Sequence, residues 1–236
     1  MIRFLLFWLL LLPAALSGQS LEMYGGINRN HFTINRYIAP TPVNRNPHSL
    51  EARNGFAIGL AVADIKVVNH WKPRLALQFE QYTGGFDLNS GGQGQQYYAH
   101  GEITLSVLRM SFYPLNFNLW KVLRTSVGMQ LGMRLHERAK GHRGGGGAVE
   151  VFWEDLSEAT RGDWGWYGGV VTQIALEIKC HENWWIVPQY TAYFGLGNEL
   201  SAYRYERSIR AFRQLGAIGI RKRFDWSRDQ KETSKV

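Results

Sequence analysis

Glu80, Glu102 and Glu177 are carboxylates set in otherwise apolar stretches, and Arg74, Arg124, Arg134, Arg213 and Arg221 are guanidiniums in the same kind of setting. A buried charge is strongly penalised unless an opposite charge and further hydrogen bonds meet it. The eight side chains therefore read as one ion-pair network enclosed by the fold. Such a network is either a structural plug or a path for a proton or a small ion. Arginines outnumber glutamates in it, which leaves room for an anion or water inside.

A catalytic reading uses different residues. His136 and His142, with Ser90 and Asp87, supply the base, nucleophile and carboxylate that nucleophilic catalysis uses. Neither a Gly-x-Ser-x-Gly elbow nor a His-Glu-x-x-His metal motif supports them. The 7 histidines are scattered over the chain. No enzyme, cofactor or metal is expected. The run Gly144–Gly147 lacks the Lys-Ser/Thr of a phosphate loop and leads into no helix, so it reads as a flexible loop tip.

The elements that must hold these residues are strands. In SVGMQLGMRLH, Ser126 to His136, Val127, Met129, Leu131, Met133 and Leu135 share one side of an extended chain, while Gly128, Gln130, Gly132 and Arg134 share the other. Strand-like segments recur at Leu21–Asn28, Gly55–Lys66, Arg74–Phe86, Tyr98–Pro114, Val122–His136, Trp164–His181, Trp184–Gly197 and Ser208–Phe224. That makes eight. Their connections alternate: the first, third, fifth and seventh are long, and the second, fourth and sixth are short. In an up-and-down antiparallel barrel, long and short connections then lie at opposite ends.

The first residues, MIRFLLFWLLLLPAALSGQS, carry Arg3, an apolar run from Phe4 to Leu12 and a small-residue patch, and read as a secretory signal peptide over residues 1–18. The run is too short for a membrane-spanning helix, which needs about 20 residues. Gln19 stands where a lipoprotein would carry a lipidated Cys. The chain divides into that signal, a barrel domain over 19–224 and a short polar tail over 225–236. Cys180 is the only cysteine, so no internal disulfide staples the fold. The formal charge of +8 suits an anionic lipid neighbour. No basic helix or zinc-finger spacing points to nucleic acid.

The faces settle which surroundings such a barrel needs. Phe56, Ile58, Leu60 and Val62 oppose Gly55, Ala57, Gly59, Ala61 and Ala63. Val170, Ile174, Leu176 and Ile178 oppose Gly169, Gln173, Glu177 and Lys179. A soluble barrel would put long polar side chains opposite its apolar face, yet that second face is rich in Gly and Ala. Inverted, with large residues toward lipid and small or hydrogen-bonding ones toward a narrow lumen, both faces are accounted for, and closure pairs every backbone amide. Ile103, Leu105 and Val107 set one parity and Leu108, Met110 and Phe112 the other. A β-bulge near Val107 and Leu108 is expected to turn Arg109 inward. Trp71, Trp120, Trp184 and Trp185 fall at the short-turn end and Trp164 and Trp166 at the long-loop end, as interfacial girdles require.

Taken together with RLALQFEQYTGG and its inward Glu80, PQYTAYFGLGN on the seventh strand and AIGIRKRF ending at Phe224, the chain resembles the small Gram-negative outer-membrane barrel family, OmpA/OmpX-like and PorT-like. The resemblance covers nearly all of the mature chain. It implies an eight-stranded all-β transmembrane barrel in the bacterial outer membrane, with both termini in the periplasm. It also implies that Phe224 is the terminal aromatic read by the barrel assembly machinery. Arg138, Lys140 and Arg143 form a basic cluster that suits lipopolysaccharide phosphates or simple solvation. The role expected is structural, adhesive or accessory to secretion or envelope assembly. The alternatives are a lipid-modifying outer-membrane enzyme and a secreted lipocalin-like barrel.

Overall fold

The computed structural model describes residues 20–35, 49–51, 53–65, 72–92, 95–145, 148–155, 166–196 and 208–224. Among them the period-two segments form β1 (Ser20–Asn35), β2 (Ser49–Glu51), β3 (Arg53–Ala63), β4 (Arg74–Gly92), β5 (Gln95–Asn118), β6 (Leu123–Gly145), β7 (Ala148–Asp155), β8 (Trp166–Leu176), β9 (Ile178–His181), β10 (Trp184–Gly195) and β11 (Ser208–Arg223). β7 and β8 share one edge of β6, β8 and β9 share one edge of β10, and β2 and β3 share one edge of β4. Eight strand positions result. β11 pairs with both β10 and β1, so the sheet closes into an antiparallel up-and-down barrel.

Register fixes the shape. A circuit of paired residues leaves β1 at Leu21, passes Val62, Leu75, Phe112, Met129, Val170, Phe194 and Phe212, and re-enters β1 at His31. The offset of ten residues between Leu21 and His31 is the shear of the barrel. With strands ~4.8 Å apart and ~3.3 Å of rise per residue, it tilts the strands by about 40° and gives a backbone radius of about 8 Å. Such a lumen is filled by side chains.

Within it, tyrosines lie over glycines of the neighbouring strand. The Tyr24 ring covers Gly59, its cross-strand partner, and the Tyr167 ring covers Gly132. A Cβ at Gly132 would sit inside the Tyr167 ring's van der Waals surface, whereas one at the outward Gly216 would meet nothing within 4 Å. Gly132→Ala is therefore expected to cost about 1–3 kcal/mol by overpacking, and Gly216→Ala to leave stability unchanged. Urea unfolding of the two variants in lipid vesicles checks the contrast.

Two sequence expectations change. A register shift does lie between Ser106 and Val107, but the extra residue is Leu135 on β6: Ser106 pairs with His136 and Val107 with Arg134. β5 keeps one parity from Leu105 to Tyr113, with Leu105, Val107, Arg109, Ser111 and Tyr113 all buried inside, and changes it only at a second register shift between Phe112 and Leu115, beyond which Leu115 and Phe117 face outward. Arg109 faces inward without any break beside it in its own strand, because Leu105 and Val107 are lumen residues. The second change concerns length. Asn-, Gly- and Ser-rich stretches read as loops are strand: β4 and β5 pair out to Gly92 and Gln95, and Gly144 and Gly145 pair with Val149 and Ala148. Backbone pairing above the barrel needs no apolar alternation, so composition did not announce it.

Candidate functional site

On β1, LEMYGGIN sends Leu21, Met23, Gly25 and Ile27 outward and Glu22, Tyr24 and Asn28 inward. Glu22 is 0 % exposed, and its two oxygens divide the work. Oε1 takes Arg74 Nη2 at 2.8 Å, and Oε2 takes Arg221 Nη2 at 2.5 Å and Nε at 3.0 Å, with Arg124 Nη2 at 3.7 Å. Glu177, where the chain breaks between β8 and β9, accepts from Arg221 Nη1 at 2.5 Å and pairs with Arg124 Nη1 at 3.1 Å. Two carboxylates thus bind three guanidiniums across β1, β4, β6, β8 and β11.

Above this layer a belt of amides carries the connection onward. Arg74 Nη1 donates to Gln173 at 2.5 Å, and Gln173 Nε2 donates to Gln189 at 2.6 Å. The Tyr24 hydroxyl donates to Gln78 at 2.9 Å, and Gln78 donates to Glu80. Glu80 anchors a second cluster: Arg109 Nε lies 2.6 Å from its Oε2 and Arg213 Nε 3.8 Å away. The Arg213 guanidinium stacks 4.0 Å from the Tyr193 ring centroid, and that of Arg109 lies 5.1 Å from Tyr167. In a low-dielectric interior these charges need each other, and together they cross-link opposite walls of the cylinder.

Six of the eight residues expected in a network thus meet: Arg74, Arg124, Glu177 and Arg221 in one cluster, Glu80 and Arg213 in the other. Arg134 faces inward opposite Val107. Glu102 does not join: it stands on the outer parity, opposite Lys140, beside the buried Gly101. Glu22 was missed by sequence reasoning, although the alternation Glu22, Tyr24, Gly26, Asn28 against Leu21, Met23, Gly25, Ile27 carries its signal.

Outside, the chemistry is reversed. Ile27 is 68 % and Ile218 65 % exposed, with Met129 and Leu131 exposed beside buried Gln130. A continuous apolar exterior around a charged interior requires hydrocarbon, not water, outside. This excludes a soluble lipocalin-like barrel. Trp120 is exposed in the β5–β6 turn and Trp184 on the outer wall, while Trp185 shares the lumen parity opposite Arg221. Trp71 and Trp164 lie outside the described residues, as do the segments 1–18 and 225–236, and Trp166 opens β8 opposite Met133. Phe224 is half-buried at the same rim as both strand ends. Arg138 and Lys140 are exposed on β6, and Arg143 lies further along it. Ser90 pairs with Tyr97 and His136 with Ser106, so the register does not bring the candidate nucleophile to that histidine.

No family model and no curated protein sequence matches the chain. Solved structures similar to it include Ail, the attachment invasion locus protein of Yersinia pestis, at 12% identity over 86% of this chain and 99% of that one, with a TM-score of 0.36. Neisserial surface protein A is similar at 10% identity over 86% and 97%, with a TM-score of 0.38. The outer membrane protein OprG of Pseudomonas aeruginosa is similar at 9% identity over 88% and 97%, with a TM-score of 0.37. The chain's own pairing and faces decide its class: closed, eight-stranded, antiparallel and inverted, it is a small transmembrane β-barrel.

Proposed function

We propose that the chain is a bacterial outer-membrane barrel with a structural and adhesive role, in which an ion-paired cylinder anchors a sheet that projects from the end opposite both strand termini. One observation carries this reading. β4, β5 and β6 are 19, 24 and 23 residues long, whereas a tilted strand crosses a bilayer in about 9–11. The surplus, with β7 along β6, extends roughly 30 Å of paired strand beyond the wall. In the same reading residues 1–18 are removed on export and Phe224 serves assembly. Arg138, Lys140 and Arg143 meet lipopolysaccharide phosphates at the base of the projection.

Arg138 pairs with Asp155, so replacing Ala139–Glu154 by an Asn-Gly turn should shorten the hairpin without disturbing the wall. Gram-negative cells making the full chain are expected to adhere to a mammalian cell layer. Cells making the shortened chain should lose adherence while the protein keeps its heat-modifiable gel migration. Unchanged adherence with an intact barrel would overturn the adhesive role, and a secretion protein crosslinked to the chain in intact membranes would replace it with the accessory one.

A further inference from the structure

The rim where β1 begins and β11 ends carries a surplus of positive charge. Among the described residues exposed there, Lys72, Lys121, Lys179, Lys222 and Arg223 are opposed by one exposed carboxylate, Glu182. Asp64 is half-buried and accepts the Ser20 hydroxyl at 3.0 Å. Lys222 stands on the outer parity, next in line after Ile218 and Ile220. Its ammonium lies 5.4 Å from the Trp184 ring centroid and 5.5 Å from that of Phe224. These three side chains close one end of a groove of about 860 Å³ in the outer wall, which runs past Met23, Ile58 and Phe79. Gly25 deepens it, having no side chain where its neighbours have large ones.

We infer that this groove seats one anionic glycerophospholipid of the adjoining leaflet, its acyl chains along Met23 and Ile58 and its phosphate on Lys222. Any acyl chain would fill the apolar part. The charge selects the headgroup: the two rings flank the ammonium and leave its donors to a phosphate at the hydrocarbon edge. The surplus of cations around the rim repels the positive group that a zwitterionic lipid carries beside its phosphate. The inference rests on the transmembrane reading of the outer face and is independent of the adhesive role.

Native mass spectrometry of the full chain released from detergent, with phosphatidylglycerol or phosphatidylcholine added, tests it. The wild type should retain phosphatidylglycerol over phosphatidylcholine, and the preference should fall roughly fivefold for Lys222→Gln. Arg138→Gln, at the other end, should leave it unchanged. Gly25→Leu should lower retention of both lipids, because a Cβ there meets only ordinary contacts at 3.7 and 3.8 Å and the new side chain fills the groove. Equal retention of the two lipids by the wild type, or an unaltered preference in folded Lys222→Gln, overturns the headgroup site; full retention in Gly25→Leu overturns the groove. Failure of the transmembrane reading shows itself separately, as wild-type protein that stays dispersed without detergent.

Discussion

Glu22→Gln is expected to lower the stability of the barrel by about 3–5 kcal/mol, the usual cost of removing one partner from a buried ion cluster. The carboxylate serves Arg74 through one oxygen and Arg221 and Arg124 through the other. An amide offers a single acceptor and no charge, so Arg124 and Arg221 would be left with Glu177 alone and Arg74 with the neutral amides of Gln173 and Gln189. Glu177→Gln should cost less, because the Glu177 side chain is 23% exposed and water can replace part of what is lost. Adding Arg124→Met to Glu22→Gln should recover part of the loss by removing an uncompensated charge. Urea unfolding in lipid vesicles, followed by tryptophan fluorescence, measures all three. A loss below about 1 kcal/mol in Glu22→Gln would mean that the cluster does not hold the walls together.

Ile218→Arg should cost about 2–4 kcal/mol in the same assay, the penalty for a cation on the lipid face near the bilayer midplane. Ile218 is outward on β11 with Gly25 as its cross-strand partner on β1. Lys222, four residues further on the same face, shows that a cation is accommodated once the rim is reached. The comparison therefore reads depth rather than chemistry. If Ile218→Arg is as stable as the wild type in vesicles, water bathes that face and the inverted arrangement fails.

The wall and its inversion were legible because membrane burial leaves a period-two trace in which Phe56, Ile58 and Leu60 face lipid and Ala57 and Ala61 face the lumen. The network was legible where a charge interrupted an apolar stretch, as at Glu80 and Arg213. It was not legible at Glu102, where the strand has already left the membrane and parity no longer tracks solvent. Arg109 faces inward as expected, but the irregularity was placed on its own strand for the converse reason. The upper lumen holds apolar Leu105 and Val107, so hydrophobicity there does not mean lipid. The long outer strands were hidden because hydrogen bonding between backbones in water selects no particular side chains, and Gly-rich sequence mimics a loop.

The joint between β1 and β11 also has a consequence in time. Its ion pair between Glu22 and Arg221 spans 199 residues of sequence. Every backbone bond along that seam waits until β11 has been synthesised. Until then β1 and β10 present bare edges, an open ribbon prone to pairing with other chains. Long-range pairing of this kind is slow, since loop-closure entropy is lost before the contacts form. Sealing is thus post-translational, and a chain truncated before Ser208 would remain an open sheet with its charged lining laid bare.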